Sequence, residues 1–267
     1  MLTDDQVQKE ALRLDQAEQS RQQTNATTVH HPDMTIDDAY KVQSAWMDIK
    51  KARGRSVSGY KIGLTSRAMQ KSMNITEPDY GTILDDMVFE EGTEIDASAF
   101  LDPRIEVELA FILHTPLSGE HVSVIDVLNA TDYVVPALEL IAARTHRIDP
   151  ETGYKRNVRD TISDNAANAG VILGGLPVRP DDIDLRWIGA MMFRNGVIEE
   201  SGVSGAVLNH PAKGIAWLAK KYAAHGIALE PGQIILAGSF TRPVEVRAGD
   251  TFTVDYGELG SISCYFK

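Results

Sequence analysis

The segment Arg104-Ile105-Glu106-Val107-Glu108-Leu109-Ala110-Phe111-Ile112-Leu113 sets two carboxylates into an apolar alternation. Read as a strand, Ile105, Val107, Leu109 and Phe111 share one face, and Glu106 and Glu108 the other, with Cβ atoms roughly 6.5–7 Å apart. Carboxylates aimed into one space repel unless a positive charge lies between them, and a divalent cation with hard oxygen ligands meets that need. On this pair alone, a solvated strand face is the commoner outcome. The run Val134-Val135-Pro136-Ala137-Leu138-Glu139-Leu140-Ile141 adds one carboxylate to an otherwise apolar stretch. A strand apolar on both faces is buried, and its charge needs a partner such as Arg144, or a metal. Glu106, Glu108 and Glu139 together, with no suitably spaced His or Cys, point to Mg²⁺ or Mn²⁺ and away from zinc.

Lys61 is the next candidate. In Val57-Ser58-Gly59-Tyr60-Lys61-Ile62-Gly63-Leu64 the period is two, which puts Lys61, Gly63 and Thr65 on one face. Gly63 leaves room for a ligand to approach the backbone. A lysine drawn into such a site loses its proton more readily and serves as acid or base, whereas on its own it reads as a snorkelling surface residue. Glu77-Pro78-Asp79-Tyr80-Gly81 is a turn cluster able to present Asp79 to the same cavity. In Thr161-Ile162-Ser163-Asp164-Asn165-Ala166-Ala167-Asn168-Ala169-Gly170, Ser163 or Asp164 reads as a helix N-cap whose free N–H groups receive an anion, or as a close-packed helix start. Gly238-Ser239-Phe240-Thr241-Arg242-Pro243 offers the Ser239 and Thr241 hydroxyls and the Arg242 guanidinium to a carboxylate, or forms an ordinary turn. Arg144, Arg147, Arg159 and Arg242 are unranked candidates for a distal carboxylate. His30-His31 falls in a polar break and reads as surface; Met191-Met192 and Trp46, Trp187 and Trp217 read as core. No Walker loop, dinucleotide fingerprint or Gly-x-Ser-x-Gly elbow occurs, which disfavours NTPase, dehydrogenase and esterase chemistry.

The elements that must position these residues follow from periodicity. Residues 1–55 read as a helical segment, with one helix through Gln23 and a second capped by Thr35 and stopped by Gly54. Residues 56–267 read as a β-rich catalytic domain. Short helices are expected at Ser66–Met73 and Val122–Asn129, strands at Arg104–Leu113 and Tyr133–Ala142, and an Asn195-Gly196 hairpin between Ile188–Arg194 and Val197–Ser201. A helix over Pro211–Ala224 and strands at Gln233–Ala237, Thr251–Asp255 and Ser261–Phe266 complete an α+β pattern.

The 267 residues carry 26 Lys+Arg against 38 Asp+Glu, a net charge of −12, which argues against nucleic acid as a partner. A single cysteine, Cys264, excludes an intrachain disulfide framework and suits a reducing compartment. The polar N-terminus and the lack of a run of ~18 or more apolar residues predict a cytoplasmic chain with no membrane partner.

Six segments, Lys61–Ser66, Glu77–Gly81, Arg104–Glu108, Pro136–Glu139, Ser163–Ala166 and Gly238–Pro243, resemble in order the hydratase/decarboxylase branch of the fumarylacetoacetate hydrolase superfamily. The likeness implies a mixed β-sandwich or β-roll with an N-terminal helical part, Mg²⁺ or Mn²⁺, and a homo-oligomer, often a decamer. By position it makes Glu106, Glu108 and Glu139 metal ligands, Lys61 and Asp79 an acid/base pair, and Ser163, Asn165, Ser239 and Thr241 substrate-binding residues. The C–C hydrolases of the superfamily place Asp at the third ligand and carry a His-Glu pair. Glu139 and the lack of a counterpart to that pair argue against hydrolysis. The implied reaction, in aromatic catabolism, is water addition to a small 2-oxo or 2-hydroxydienoic diacid, 2-oxohept-3-ene-1,7-dioate or its tautomer, giving 4-hydroxy-2-oxoheptanedioate. Decarboxylation of a 4-oxalocrotonate-type acid, hydration of 2-hydroxypenta-2,4-dienoate and a non-catalytic partner subunit are the alternatives.

Overall fold

The computed structural model describes residues 1–267 and every side chain except that of Ser72. Three helices open the chain: α1 (Asp4–Ser20), α2 (Thr27–His30) and α3 (Ile36–Ala52). The long ones start where the sequence provides reciprocal caps: Thr3 with Gln6 at α1, and Thr35 with Asp38 at α3. Then follow β1 (Val57–Gly63), α4 (Arg67–Ser72), β2 (Asp79–Leu84), β3 (Val88–Glu90), β4 (Glu94–Ile95) and β5 (Arg104–Leu113). Next come α5 (Val124–Ala130), β6 (Thr131–Ile141), α6 (Val158–Ser163), β7 (Asn168–Leu173), β8 (Gly189–Arg194) and β9 (Val197–Val203). The chain ends with α7 (Ala212–Ala223), β10 (Ile234–Leu236), β11 (Val244–Glu245), β12 (Thr251–Asp255) and β13 (Ser261–Phe266).

The strands form two mixed sheets, one of eight strands in the order β2-β1-β10-β5-β6-β7-β3 with β11 on β5, the other of five in the order β4-β13-β12-β8-β9. Their inner faces meet in one apolar core, where Ile105, Val107, Leu109 and Phe111 of β5 join Phe252, Val254, Ile262 and Phe266. On the opposite face of the larger sheet, Ile83, Ala110, Ala137, Val171 and Leu236 pack under Val7, Ala11 and Leu14 of α1 and Val42 and Trp46 of α3. That face is decisive for the site. Residues 57, 59, 61 and 63 of β1, 79, 81 and 83 of β2, 104, 106, 108 and 110 of β5, and 137 and 139 of β6 share it by strand alternation. Apolar where the helices cover it, it becomes ionisable at Lys61, Asp79, Glu106, Glu108 and Glu139.

The Asn195-Gly196 hairpin has both φ values positive, 55° and 80°, as a type I′ turn requires. The Asn195 side chain also donates to Asp250 (2.7 Å) and accepts from the Thr251 N–H (2.9 Å). Trp46 and Met192 are fully buried as expected, but Met191 (42% exposed) and Trp187 (71%) are not core. Alternation along β8 sends Met192 inward and Met191 outward, while Ile188 takes the inward place beside Trp187. His30 is exposed as expected, with Nδ1 3.2 Å from the buried Glu10 carboxylate, whereas His31 is half-buried, its Nε2 3.3 Å from the same carboxylate. No helix among the described residues is long and apolar enough to cross a membrane.

Candidate active site

Strand register brings the glutamates together. Glu106 of β5 stands directly opposite Glu139 of β6, with Glu108 one alternation further along. Like charges in such positions are destabilising by themselves. One carboxylate oxygen from each glutamate lies within 4.8 Å of the others, with Glu108 and Glu139 buried and Glu106 half-buried. The Glu108 carboxylate accepts the Gly238 N–H (2.9 Å), and Glu139 accepts from Asn168 Nδ2 (2.8 Å). Beneath them the Tyr256 hydroxyl donates to the Ala137 carbonyl (2.7 Å), tying down the strand that carries Glu139.

Lys61 and Asp79 close the cluster from β1 and β2. Lys61 Nζ is 3.3 Å from Glu139 Oε1 and donates to the Ala166 carbonyl (3.2 Å). That carbonyl is aimed by three successive residues in the left-handed region, Asn165, Ala166 and Ala167 (φ 53°, 50° and 63°), a conformation that costs non-glycine residues energy. Register sets Asp79 opposite Gly63, and the Asp79 carboxylate occupies the volume a side chain at Gly63 would need. A Cβ there would lie 2.2 Å from Asp79 Oδ1 and 3.0 Å from Lys61 Nζ. The room expected for a ligand is thus filled by the protein's own charged groups.

Burial, together with the charge of Glu139, raises the Glu106 pKa to about 7 and pushes Glu108 well above the ordinary carboxylate range. Burial likewise lifts Asp79 to about 6 against the pull of Lys61. For Lys61, burial works against the ammonium, but Glu139, Asp79, Glu106 and Glu108 outweigh it and hold the proton more tightly than usual. This reverses the expectation of a lysine that deprotonates easily. Both Asp79 oxygens and Glu139 Oε2 are buried with no hydrogen-bond partner. Four carboxylates facing one ammonium, with orphaned oxygens among them, fit a hard dication.

The remaining sequence candidates hold the scaffold. Ser163 ends α6 and does not begin a helix; its hydroxyl donates back to the Arg159 carbonyl (2.9 Å). Asp164 instead binds Arg144 and Arg156, which assigns Arg144 to Asp164 and not to Glu139. Asn165 pairs with both backbone groups of Thr82 (2.7 and 2.9 Å). The Ser239 hydroxyl donates to the Thr241 carbonyl (3.0 Å), and Thr241 Oγ1 accepts the Val107 N–H (3.3 Å), pinning their loop to β5. Arg242 is 84% exposed and pairs with Glu200. Asn168, the Gly238 N–H, the Ala166 carbonyl and Arg156 escaped the sequence reading. Two are backbone groups that no residue pattern announces, and an asparagine or arginine alone carries no signature.

Comparison with known proteins follows this geometry. Residues 60–266 match the family described as fumarylacetoacetate (FAA) hydrolase C-terminal. The chain is 63% identical over 256 residues (96% of each chain) to an Escherichia coli 2-oxo-hept-4-ene-1,7-dioate hydratase. It is 35% identical to a 2-keto-4-pentenoate hydratase of Paraburkholderia xenovorans (strain LB400), covering 100% of this chain and 97% of that one. Among solved structures, 4-oxalocrotonate decarboxylase from Pseudomonas putida G7, complexed with magnesium and adipate, superposes with a TM-score of 0.94 at 35% identity over 100% and 99% of the two chains. With the fold, the register that joins its acidic residues and these likenesses in agreement, the chain belongs to the fumarylacetoacetate hydrolase family.

Proposed function

We propose that this protein is a hydro-lyase that adds water to a seven-carbon 2-oxo-enedioic acid, giving 4-hydroxy-2-oxoheptanedioate. The observation that carries the reading is the placing of buried Lys61 and buried, unpartnered Asp79 against three carboxylates competent to hold a dication. The 63% identity to the E. coli hydratase favours this substrate over its shorter monoacid relatives. That relative's name places the alkene at C4, whereas the sequence expectation places it at C3. Loss of a proton from C3 of the first or C5 of the second gives the same 2-hydroxydiene, so one acid/base pair serves both.

Mg²⁺ or Mn²⁺ held by Glu106, Glu108 and Glu139 would supply a fixed positive charge for the C1 carboxylate and 2-oxygen. Asp79, unpartnered and with a pKa of about 6, is suited to take a proton from C3 and return it at C5 near neutral pH. Water then adds at C4 of the resulting enone, its proton passing to the Asp79 carboxylate, while C3 gains a proton from the Lys61 ammonium; proton transfer from Asp79 to Lys61 restores both groups. The turn at Asn165–Ala167 orients that ammonium through the Ala166 carbonyl. In this reading Ser163, Asn165, Ser239 and Thr241 shape the substrate cavity through the loops they fix.

The test is incubation of the purified protein with Mg²⁺ and 2-hydroxyhepta-2,4-dienedioate. Loss of diene absorbance without CO₂, and a 4-hydroxy product by NMR, are expected. CO₂ release would instead favour the decarboxylase reading raised by the 0.94 superposition. The single buried cysteine supports a cytoplasmic location. Exposed Trp187, Val197, Ile198 and Met191 support a homo-oligomer, for which sedimentation is the measurement.

A further inference from the structure

We propose that Arg156, with Arg147 beside it, receives the distal carboxylate of the substrate and so sets a preference for diacids over monoacids. The proposal rests on the hydratase reading above and assigns the far end of the same site.

The two arginines meet on the loop between β6 and α6. The Arg156 N–H donates to the Arg147 carbonyl (3.1 Å), and Ile148 bridges Lys155 just beyond them. They are therefore cross-strand neighbours, and like charges so placed repel unless an anion joins them. The protein's own anions fall short. Asp102 pairs with Arg147. Asp164 already accepts the backbone N–H (2.9 Å) and Nε of Arg144, and Arg156 reaches it through Nη1 alone, at 3.3 Å. Asp164 is the only protein acceptor of the Arg156 guanidinium among the described residues, although that side chain is just 7% exposed. Burial, followed by the charge of Arg147, lowers the Arg156 pKa to about 10. Arg104, on the site face of β5 one alternation before Glu106, keeps a buried Nε with no acceptor.

Both guanidinia lie beside the site: Arg156 binds Asp164, which precedes the turn whose Ala166 carbonyl holds Lys61, and Arg147 shares Asp102 with Arg104, one alternation before Glu106 on β5. The other arginines are committed elsewhere: Arg144 to Asp164, Arg159 to the Pro32 and Met34 carbonyls (3.0 and 2.8 Å), and Arg242 to Glu200 at the surface. The charged groups are thus segregated: the carboxylates of Glu106, Glu108 and Glu139 suit a cation and the α-keto acid, and beyond them the Arg156 guanidinium, with only Nη1 bonded, keeps fork-shaped donors for a second carboxylate.

The experiment compares wild type, Arg156→Gln, Arg156→Lys and Arg147→Gln with Mg²⁺. It measures kcat/KM for 2-hydroxyhepta-2,4-dienedioate and 2-hydroxyhexa-2,4-dienoate, and Kd for the unreactive probes 2-oxoheptanedioate and 2-oxoheptanoate. In Arg156→Gln the diacid-over-monoacid ratio should fall by about 30- to 100-fold, mostly through KM, from the loss of a charged hydrogen-bonded contact. Arg156→Lys should recover part of it, and Arg147→Gln, at a more exposed position, should show a smaller loss of the same sign. Equal loss for both acids, or an unchanged ratio, would overturn the assignment. If wild type hydrates neither acid yet Arg156→Gln selectively weakens 2-oxoheptanedioate binding, the hydratase reading fails and the arginine assignment stands.

Discussion

Glu106, Glu108, Glu139 and Asp79 are placed where carboxylates are poor for stability, and the cost should be measurable residue by residue. Removing one charge from the triad should make the metal-free protein more stable while destroying its affinity for the dication. Glu106→Gln is therefore expected to melt above wild type without metal and to lack the Mg²⁺-dependent stabilisation expected of wild type, about 2.7 kcal/mol at 100 times Kd. Its kcat/KM should fall at least 100-fold. A Mg²⁺-dependent rise of wild-type size in the variant would contradict the ligand assignment. Asp79 gives a pH signature. Its folded pKa of about 6 lies above the ordinary 3.8, so the folded state binds an extra proton between those values, and stability declines as pH rises through that window. Above about pH 6 the buried charge costs about 3 kcal/mol, at 1.36 kcal/mol per unit. Asp79→Asn should accordingly be more stable than wild type at pH 7.5 and no more stable below pH 4, with turnover lost. Urea denaturation at the two pH values measures this, and a gain independent of pH would exclude a charge-based origin.

Pairs of elements create what single residues cannot. β1 and β2 lie antiparallel in a register that sets Asp79 against Gly63, and only a residue without Cβ admits the Asp79 carboxylate beside Lys61. Gly63→Ala should displace that carboxylate, lower kcat by about 100-fold or more and leave the Mg²⁺-dependent Tm rise in place, because the glutamates sit on β5 and β6. Loss of metal response together with activity would show that the site moves as one body. Gly238, at φ +119°, plays a comparable part on the other side. Its backbone bends so that the N–H meets Glu108, and an added Cβ would lie 2.4 Å from Thr65 Oγ1.

At the scale of the whole molecule, the N-terminal helices and the site are joined through one buried line of contacts. Trp46 of α3 is fully buried against the Arg144 guanidinium (5.0 Å from the ring centroid). Arg144 holds Asp164, and the left-handed turn that follows carries the carbonyl bonded to Lys61. We propose that the division of the chain at residue 55 is a change of element type across a shared core, so that residues 1–55 and 56–267 unfold together. Trp46→Ala should lower stability by about 3–5 kcal/mol in one urea transition seen alike by circular dichroism and by the fluorescence of Trp187 and Trp217. Two separated transitions would show that the helices unfold on their own.

Much of this was present in the order of residues. The alternation of Glu106 and Glu108, the lone carboxylate of an apolar strand, the cap at Thr35 and the Asn-Gly hairpin are local patterns, fixed by periods of 2 and 3.6 that a chain carries wherever it folds. What the sequence left open is the identity of partners far along the chain. Ser163 read as the start of a helix because small polar residues suit both ends of one, and tertiary packing made it an end. Lys61 read as a lysine poised to lose its proton, yet carboxylates from three other strands hold that proton in place. Arg144, Arg147, Arg156 and Arg159 are alike as letters. They differ because Asp164, Asp102 and two backbone carbonyls satisfy them unequally, and that inequality comes from packing between segments up to 127 residues apart, where no local period reaches.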